Sequence, residues 1–296
     1  MKNLVRFDWA VMRLLRNKAN YDILEGFLSE LLVEDVKIEQ LLESEGNKQT
    51  ADDKTNRVDL LVQNDKGELI IIEVQNDYKQ DYLMRMLYGT SKIVTDHMSE
   101  GMDYSAIKKV ISVNIVYFDL GRGEDYVYHG TTQYIGIHKK DILRLSPSEE
   151  GVYHTTDIAA LYPEYYIIKV NNFNEVSPNT LDEWINFLKT EEVKEDSHAK
   201  GLKKAATELD VMKLSKEDRL QYENYIKDWR DNYSTIVGHY NKGKHEGKVL
   251  GKEEGRNERN KEIVISLHKR GMSPVEISEI TNLSVVEIEK IISENN

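Results

Sequence analysis

Apolar residues recur along the first 75 positions with two different periods. Residues 8–17 and 19–32 read as helices. In the second, apolar side chains at 23, 24, 27, 28, 31 and 32 follow the helical period, and Asn20 stands where an N-cap is expected. Positions 36–42 fit neither period, and the polar stretch Glu43–Lys54 reads as a loop. A hairpin follows, with strands Val58–Asn64 and Glu68–Gln75 joined by Asp65-Lys66-Gly67. A helix is predicted over about 79–98. Val110–Leu120 is a strongly apolar strand, and two further strand candidates are 126–137, broken at His129-Gly130, and 165–170. Pro178 and the stretch LDEWINFLKT mark a helix over about 179–190.

The character changes after Thr190. EEVKEDSHAK is charged and reads as a linker, and 200–240 reads as wholly helical. Glycines at 243, 247, 251 and 255, each followed by Lys or Arg, form a repeat of period four. Each glycine weakens a helix by about 1 kcal/mol relative to alanine, so this stretch is best read as a marginally stable helical linker. A DNA-contacting arm and a self-association strip are the alternatives. The end of the chain predicts a short helix, a turn at Arg270-Gly271-Met272 and two more short helices. Ser273 with Glu276 and Ser284 with Glu287 form capping boxes, and Pro274 stands at a first helical position. That rhythm is a helix-turn-helix. Its second helix, from Ser284 onward, offers three Glu and one Lys, which suits a helical cap or protein-contact module better than a DNA reader. The predicted organisation is therefore a mixed helix–strand part, 1–190, a helical region, 191–262, and a small helical module, 263–296.

Composition narrows the chemistry. The sequence has no cysteine, so disulfides and thiolate metal sites are excluded, and a metal must sit on oxygen or imidazole. The eight histidines are scattered without metal-ligand spacing. No run approaches the roughly 18–20 apolar residues of a membrane span, and the N-terminal stretch lacks the unbroken apolar core of a signal peptide. A cytoplasmic protein is expected. The formal charge of −12 opposes a generally basic, nucleic-acid-coating surface, while leaving room for a local basic groove.

The hairpin carries the candidate chemistry. With Asn64 paired to Glu68 and Gly67 in the left-handed position, counting outward places Asp59 opposite Glu73. Cross-strand partners have Cβ atoms about 4.5–5.5 Å apart, and Gln75 shares the face of Glu73. Four apolar residues precede Glu73 in LIIIEVQ, the mark of a strand buried on both faces. Two carboxylates so placed cannot both ionise cheaply without a cation. Two carboxylates with waters and a phosphate are a ligand set suited to Mg²⁺. The competing reading leaves both acids at strand ends, solvated or paired with Arg57 or Lys54.

The ordered set of motifs resembles a known family. Asp59, the glycine-containing turn and Glu73-Val74-Gln75 resemble the D…E-x-Q form of the PD-(D/E)XK nuclease core. DWAVMRLLRNKANYDILEGFLSELL and LMRMLYGTSKIVTDHMSEGMDYSAIKKVISVNIVYF resemble the Rpn branch of recombination-promoting nucleases and transposases, as do LDEWINFLKT and the Gly-Lys repeat. The resemblance implies an α/β fold, with a restriction-endonuclease-like mixed sheet flanked by helices and followed by a helical C-terminal region. It implies DNA phosphodiester hydrolysis with Mg²⁺ or Mn²⁺. Asp59, Glu73 and the Val74 carbonyl would be metal ligands, and Gln75 would stand where the wider superfamily has a lysine. Asp8, Arg85 and Tyr88 are accessory candidates. Asp8 has a second reading as a dipole-favoured acid at a helix start. Arg85 and Tyr88 share a helix face, and have second readings as a surface ion pair and a core tyrosine. The chain departs from the family pattern at Val58, where proline is usual, at Met12 and at Gln75, which supplies no positive charge. Gln75 retains the ability to orient a water.

The sequence thus predicts a Mg²⁺-dependent DNA endonuclease linked to recombination or mobile elements. A homodimer is expected, because a double-strand cut needs two sites and the helical tail could pair. The alternatives are a DNA-binding or regulatory member with weak turnover, and an interaction protein acting through its helical tail.

Overall fold

The computed structural model describes residues 5–13, 15–42 and 59–295, with the side chains of Met12 and Met212 excluded. The predicted loop Glu43–Lys54, and with it Arg57 and Val58, lies outside the described residues. So does the side chain of Met12. The described helices are α1 (Phe7–Arg13), α2 (Tyr21–Leu32), α3 (Tyr82–Asp96), α4 (Pro147–Tyr153), α5 (Thr180–Thr190), α6 (Leu202–Glu208), α7 (Lys216–Lys269), α8 (Pro274–Thr281) and α9 (Val285–Glu294). The strands are β1 (Ile38–Leu42), β2 (Leu60–Asn64), β3 (Leu69–Gln75), β4 (Val110–Val116), β5 (Val127–Gly130) and β6 (Glu164–Lys169). Contacts divide the chain into two compact units, Met1–Tyr222 and Glu223–Asn296.

In the first unit the six strands form one mixed sheet in the order β1-β2-β3-β4-β6-β5. β3 pairs antiparallel with β2 and parallel with β4, and β4 pairs parallel with β6. The hairpin turn forms as its glycine predicts. Gly67 adopts φ +80°, the Asn64 amide donates to the Glu68 carbonyl at 3.1 Å, and the Gly67 amide donates to the Asn64 carbonyl at 2.9 Å. β1 occupies the stretch whose period was ambiguous. It is an edge strand with an irregular register between Ile38 and Gln40, which erases the alternation.

One face of the sheet lies under α3: Leu61, Leu69, Ile71 and Val110 pack with Ile93, and Val116 and Phe118 pack with Tyr82 and Met86. On the other face the Tyr117 hydroxyl donates to the Leu188 carbonyl of α5 at 2.8 Å. α1, α2 and α5 are joined by edge-to-face contacts among Phe7, Phe27, Trp184 and Phe187, with centroids 5.6–6.4 Å apart. The segment after α5 returns to α2 through two glycines. A Cβ on Gly26 would overlap the Lys200 carbonyl, and Gly201 adopts φ +77° against the Asp22 carbonyl.

Several element boundaries differ from the sequence expectation, for local reasons. Asn20 stands at the N-cap position of α2 as expected but makes no side-chain cap bond there, and it is Asn17 that caps the preceding single turn by accepting the Ala19 amide at 3.0 Å. The strand predicted over 126–137 keeps only Val127–Gly130, because past Gly130 the chain leaves β6. The helical stretch predicted over 200–240 is interrupted between α6 and α7, where Ser215 starts the new helix by accepting the Asp218 amide at 3.0 Å.

The second unit contains most of α7, which runs as a helix through all four repeat glycines. Val264, Ile277 and Ile288 from α7, α8 and α9 make a small core. Both capping boxes are formed, at Ser273 with Glu276 and at Ser284 with Glu287. Among the described residues no helix is long and apolar enough to cross a membrane.

Candidate active site

The β2–β3 register pairs Leu60 with Ile72 and Leu61 with Ile71, so one further step sets Asp59 opposite Glu73. Strand β3 is buried from Leu69 to Ile72 and half-buried from Glu73 to Gln75. The acids therefore stand where the strand emerges from the core. Leu69 and Gln75 bond through their main chain to the β4 side, so by alternation Ile70, Ile72 and Val74 turn N–H and C=O towards β2. Asp59 meets Val74 there, and its carboxylate accepts the Val74 amide at 2.8 Å.

Burial drives the electrostatics. It raises the Glu73 pKa from 4.5 to about 7, and the neighbouring Asp59 charge adds to the shift. Arg85 and a hydrogen bond from Tyr82 oppose it. Burial also raises the Asp59 carboxyl above its usual range against the Val74 hydrogen bond, and Asp8 pushes in the same direction as burial while Arg16 pulls the other way. Two acids, each resisting ionisation and each made worse by a neighbouring acid, form a site short of positive charge among the described residues.

Tyr82, at the start of α3, is 2% exposed. Its hydroxyl donates to Asn114 Oδ1 at 3.1 Å and also bonds Glu73, and burial pushes its own ionisation far up. Asn114, the β4 register partner of Glu73, is fully buried and held by Ser112 and the Tyr166 carbonyl. A hydroxyl has one proton to give. Given to Asn114, it leaves the Tyr82 oxygen free to accept from a protonated Glu73; given to Glu73, it supports the carboxylate. Tyr82→Phe is expected to cost about 1–3 kcal/mol by leaving the Asn114 oxygen without this donor, and to raise the Glu73 pKa further. Urea unfolding and an NMR titration of the Glu73 carboxyl check this, and an unchanged titration would contradict the assigned bond.

The remaining candidates separate. Asp8, 4% exposed at the start of α1, accepts the Trp9 amide at 2.8 Å. Its other oxygen pairs with Arg6 at 3.2 Å and accepts from Asn76 at 2.6 Å. Asp8 therefore acts on Asp59 through charge and braces the chain after β3 through Asn76. Gln75 is half-buried, and its side chain makes no hydrogen bond among the described residues. Arg85 is about half exposed and pairs with Asp81 at 2.9 Å, while still acting on Glu73. Tyr88 is 45% exposed, so the reading as a core tyrosine is corrected: Tyr82, six positions earlier, is the buried one.

Three neighbours of the site escaped the sequence reading. Tyr82 had a usable signal, since 82, 86, 89 and 93 form the buried helical stripe of α3. Arg16, whose guanidinium donates to the Asp59 carbonyl at 2.6 Å, and Asn76 had none. Their partners lie 43 and 68 positions away.

Among the described residues no group of three or more His, Asp or Glu is arranged to hold a metal. The donors at the end of β3 are two carboxylates and, by the ladder's alternation, the Val74 carbonyl on the same side. This all-oxygen set fits Mg²⁺ or Mn²⁺ when water fills the remaining positions. Residues 5–238 match the PD-(D/E)XK nuclease family transposases. No curated protein and no solved structure matches the chain.

Proposed function

The chain belongs to the PD-(D/E)XK nuclease family transposases, and from that premise we propose that it is a metal-dependent DNA endonuclease whose active site is Asp59, Glu73 and Gln75. The observation that carries this reading is the pair of half-buried acids at the end of β3, where Glu73 is held near pKa 7 by burial and by Asp59. Such a pair is costly in a structural role and suited to binding a divalent cation.

Asp59, Glu73 and the Val74 carbonyl would hold Mg²⁺, or Mn²⁺ in its place. Bound there, the ion acidifies a water and offsets charge on the scissile phosphate. The other contributions come from the chain. Gln75 orients the attacking water with its carboxamide. Water adds to phosphorus, the bond to one ester oxygen breaks, and that oxygen leaves with a proton. Arg16 fixes the Asp59 backbone through its carbonyl. The exposed Arg85 and Tyr88 face incoming DNA, where Arg85 contacts a phosphate. Without a lysine at position 75, charge stabilisation falls more heavily on the ion. The protein works in the cytoplasm on recombining or mobile DNA, as a homodimer that supplies two sites for a double-strand cut.

The test is conversion of supercoiled plasmid to nicked or linear forms by the wild-type chain with Mg²⁺, with Mn²⁺ and with EDTA. Cutting that needs the metal supports the proposal. DNA binding without cutting under either metal would instead identify a binding member of the family.

A further inference from the structure

α7 exposes every residue from 231 to 259. A helix in water is expected to be polar on such a stretch, yet Tyr233, Ile236, Tyr240 and Leu250 are 58, 49, 65 and 57% exposed. With Gly243 and Gly247 they fall at alternating spacings of three and four, which puts all six on one face in a heptad seam. The seam is lopsided: its first half is bulky, and its second half is glycine until Leu250. Nothing lies within 4 Å of where a Cβ on either glycine would stand.

We infer that this face is the docking surface for α7 of a second copy of the chain, running antiparallel. In that register Tyr233 lies opposite Leu250, Ile236 opposite Gly247 and Tyr240 opposite Gly243, and each contact occurs twice. Bulky positions meet the glycines that admit them. A parallel pair would set glycine against glycine and Tyr240 against Tyr240, leaving gaps beside a collision.

Charge points the same way. Residues 223–241 carry two Lys/Arg and three Asp/Glu, and the residues that face them, 242–260, carry six and four. Antiparallel pairing therefore lays the acidic half on the basic half, and places His239 beside Glu246. At about 100 Å² for each exposed apolar side chain, including Val237, two copies bury roughly 1,000 Å², at the lower limit for a biological interface and short of the ~1,200 Å² where stable ones begin. The association is accordingly weak, with a Kd of ~1 μM or above.

Sedimentation equilibrium of the full chain over about 1–100 μM reads the association directly. It needs neither metal nor DNA, so its outcome is independent of the cleavage chemistry and bears on the nuclease proposal only through its homodimer. Wild type dimerises, and Tyr240→Glu weakens the dimer at least about tenfold. Gly243→Leu with Gly247→Leu strengthens the isolated helix but weakens the dimer by a similar factor. A tighter dimer from that variant would overturn the register, and a wild type monomeric throughout would overturn the surface. The sequence contains no cysteine, so single cysteines report direction. Val237→Cys chains mixed with Lys244→Cys chains cross-link if the helices are antiparallel. Ile236→Cys chains cross-linking to themselves would show a parallel pair.

Discussion

Asp59→Asn is expected to lower metal-dependent DNA cleavage about a thousandfold, a loss of roughly 4 kcal/mol in transition-state stabilisation, while leaving the fold intact. The two roles of Asp59 make this substitution informative. Its carboxylate accepts the Val74 amide at 2.8 Å, and an asparagine oxygen can accept the same bond. What asparagine lacks is the charge that would hold the ion. Asp59→Ala loses both functions, and the Val74 amide left without its acceptor costs a further ~1–3 kcal/mol of stability. Plasmid nicking rates with urea unfolding on both variants separate the two roles. If Asp59→Asn cuts within a few-fold of wild type, Asp59 is a structural acceptor and the site must lie elsewhere.

Glu73→Gln has a second large effect, of opposite sign in stability. Glu73 titrates near pH 7 in the folded chain and near 4.5 when exposed. Below about pH 4.5 it is protonated in both states and costs nothing. Between 4.5 and 7 the folded chain keeps a proton that the unfolded chain releases, so stability falls as pH rises. Above 7 the cost is constant at about 3 kcal/mol. Glu73→Gln removes that cost: without metal it is expected to be ~2–3 kcal/mol more stable than wild type at pH 8 and equal to it near pH 4. Mg²⁺ stabilises wild type by binding the folded state and displaces the proton, so its apparent affinity drops about tenfold per pH unit below 7. The variant gains nothing from Mg²⁺ and does not cut. Urea titrations at pH 4, 6 and 8, with and without Mg²⁺, measure all of this; a variant less stable than wild type at pH 8 would remove the electrostatic basis of the proposed site.

These predictions rest on a part of the structure that local sequence largely specifies. A tight turn with Gly67 sets the register, and strict alternation then decides which side chains face each other. Asp59, Glu73 and Gln75 are legible for that reason. What surrounds them is not local. Arg16 and Asn76 reach their partners across packed elements, so no spacing announces them. Helix α4 illustrates a different loss. Ser146, Pro147 and Glu149 form the same start signal as Ser273, Pro274 and Glu276, but the seven residues that follow bury no side chain and show no apolar period. At the tail, the expected helical linker is part of one continuous helix, α7, which runs through all four glycines.

The two acids also differ from their supports in when they meet. Asp59 and Val74 are 15 positions apart and joined by a tight turn, so closing that loop takes little entropy and hairpins form within about 1–10 μs. The links from Arg16 to Asp59 and from Asn76 to Asp8 span 43 and 68 positions and await the docking of α1 and of the segment that follows it, as the parallel pairing of β3 with β4 awaits the crossover through α3. The charged pair is thus expected to assemble first, in water where its repulsion is screened, and to become half-buried afterwards. The repulsion grows as burial proceeds, so it opposes the late steps of folding and not the hairpin. Acid, or a divalent ion present during refolding, is expected to speed those steps, which stopped-flow refolding rates measure.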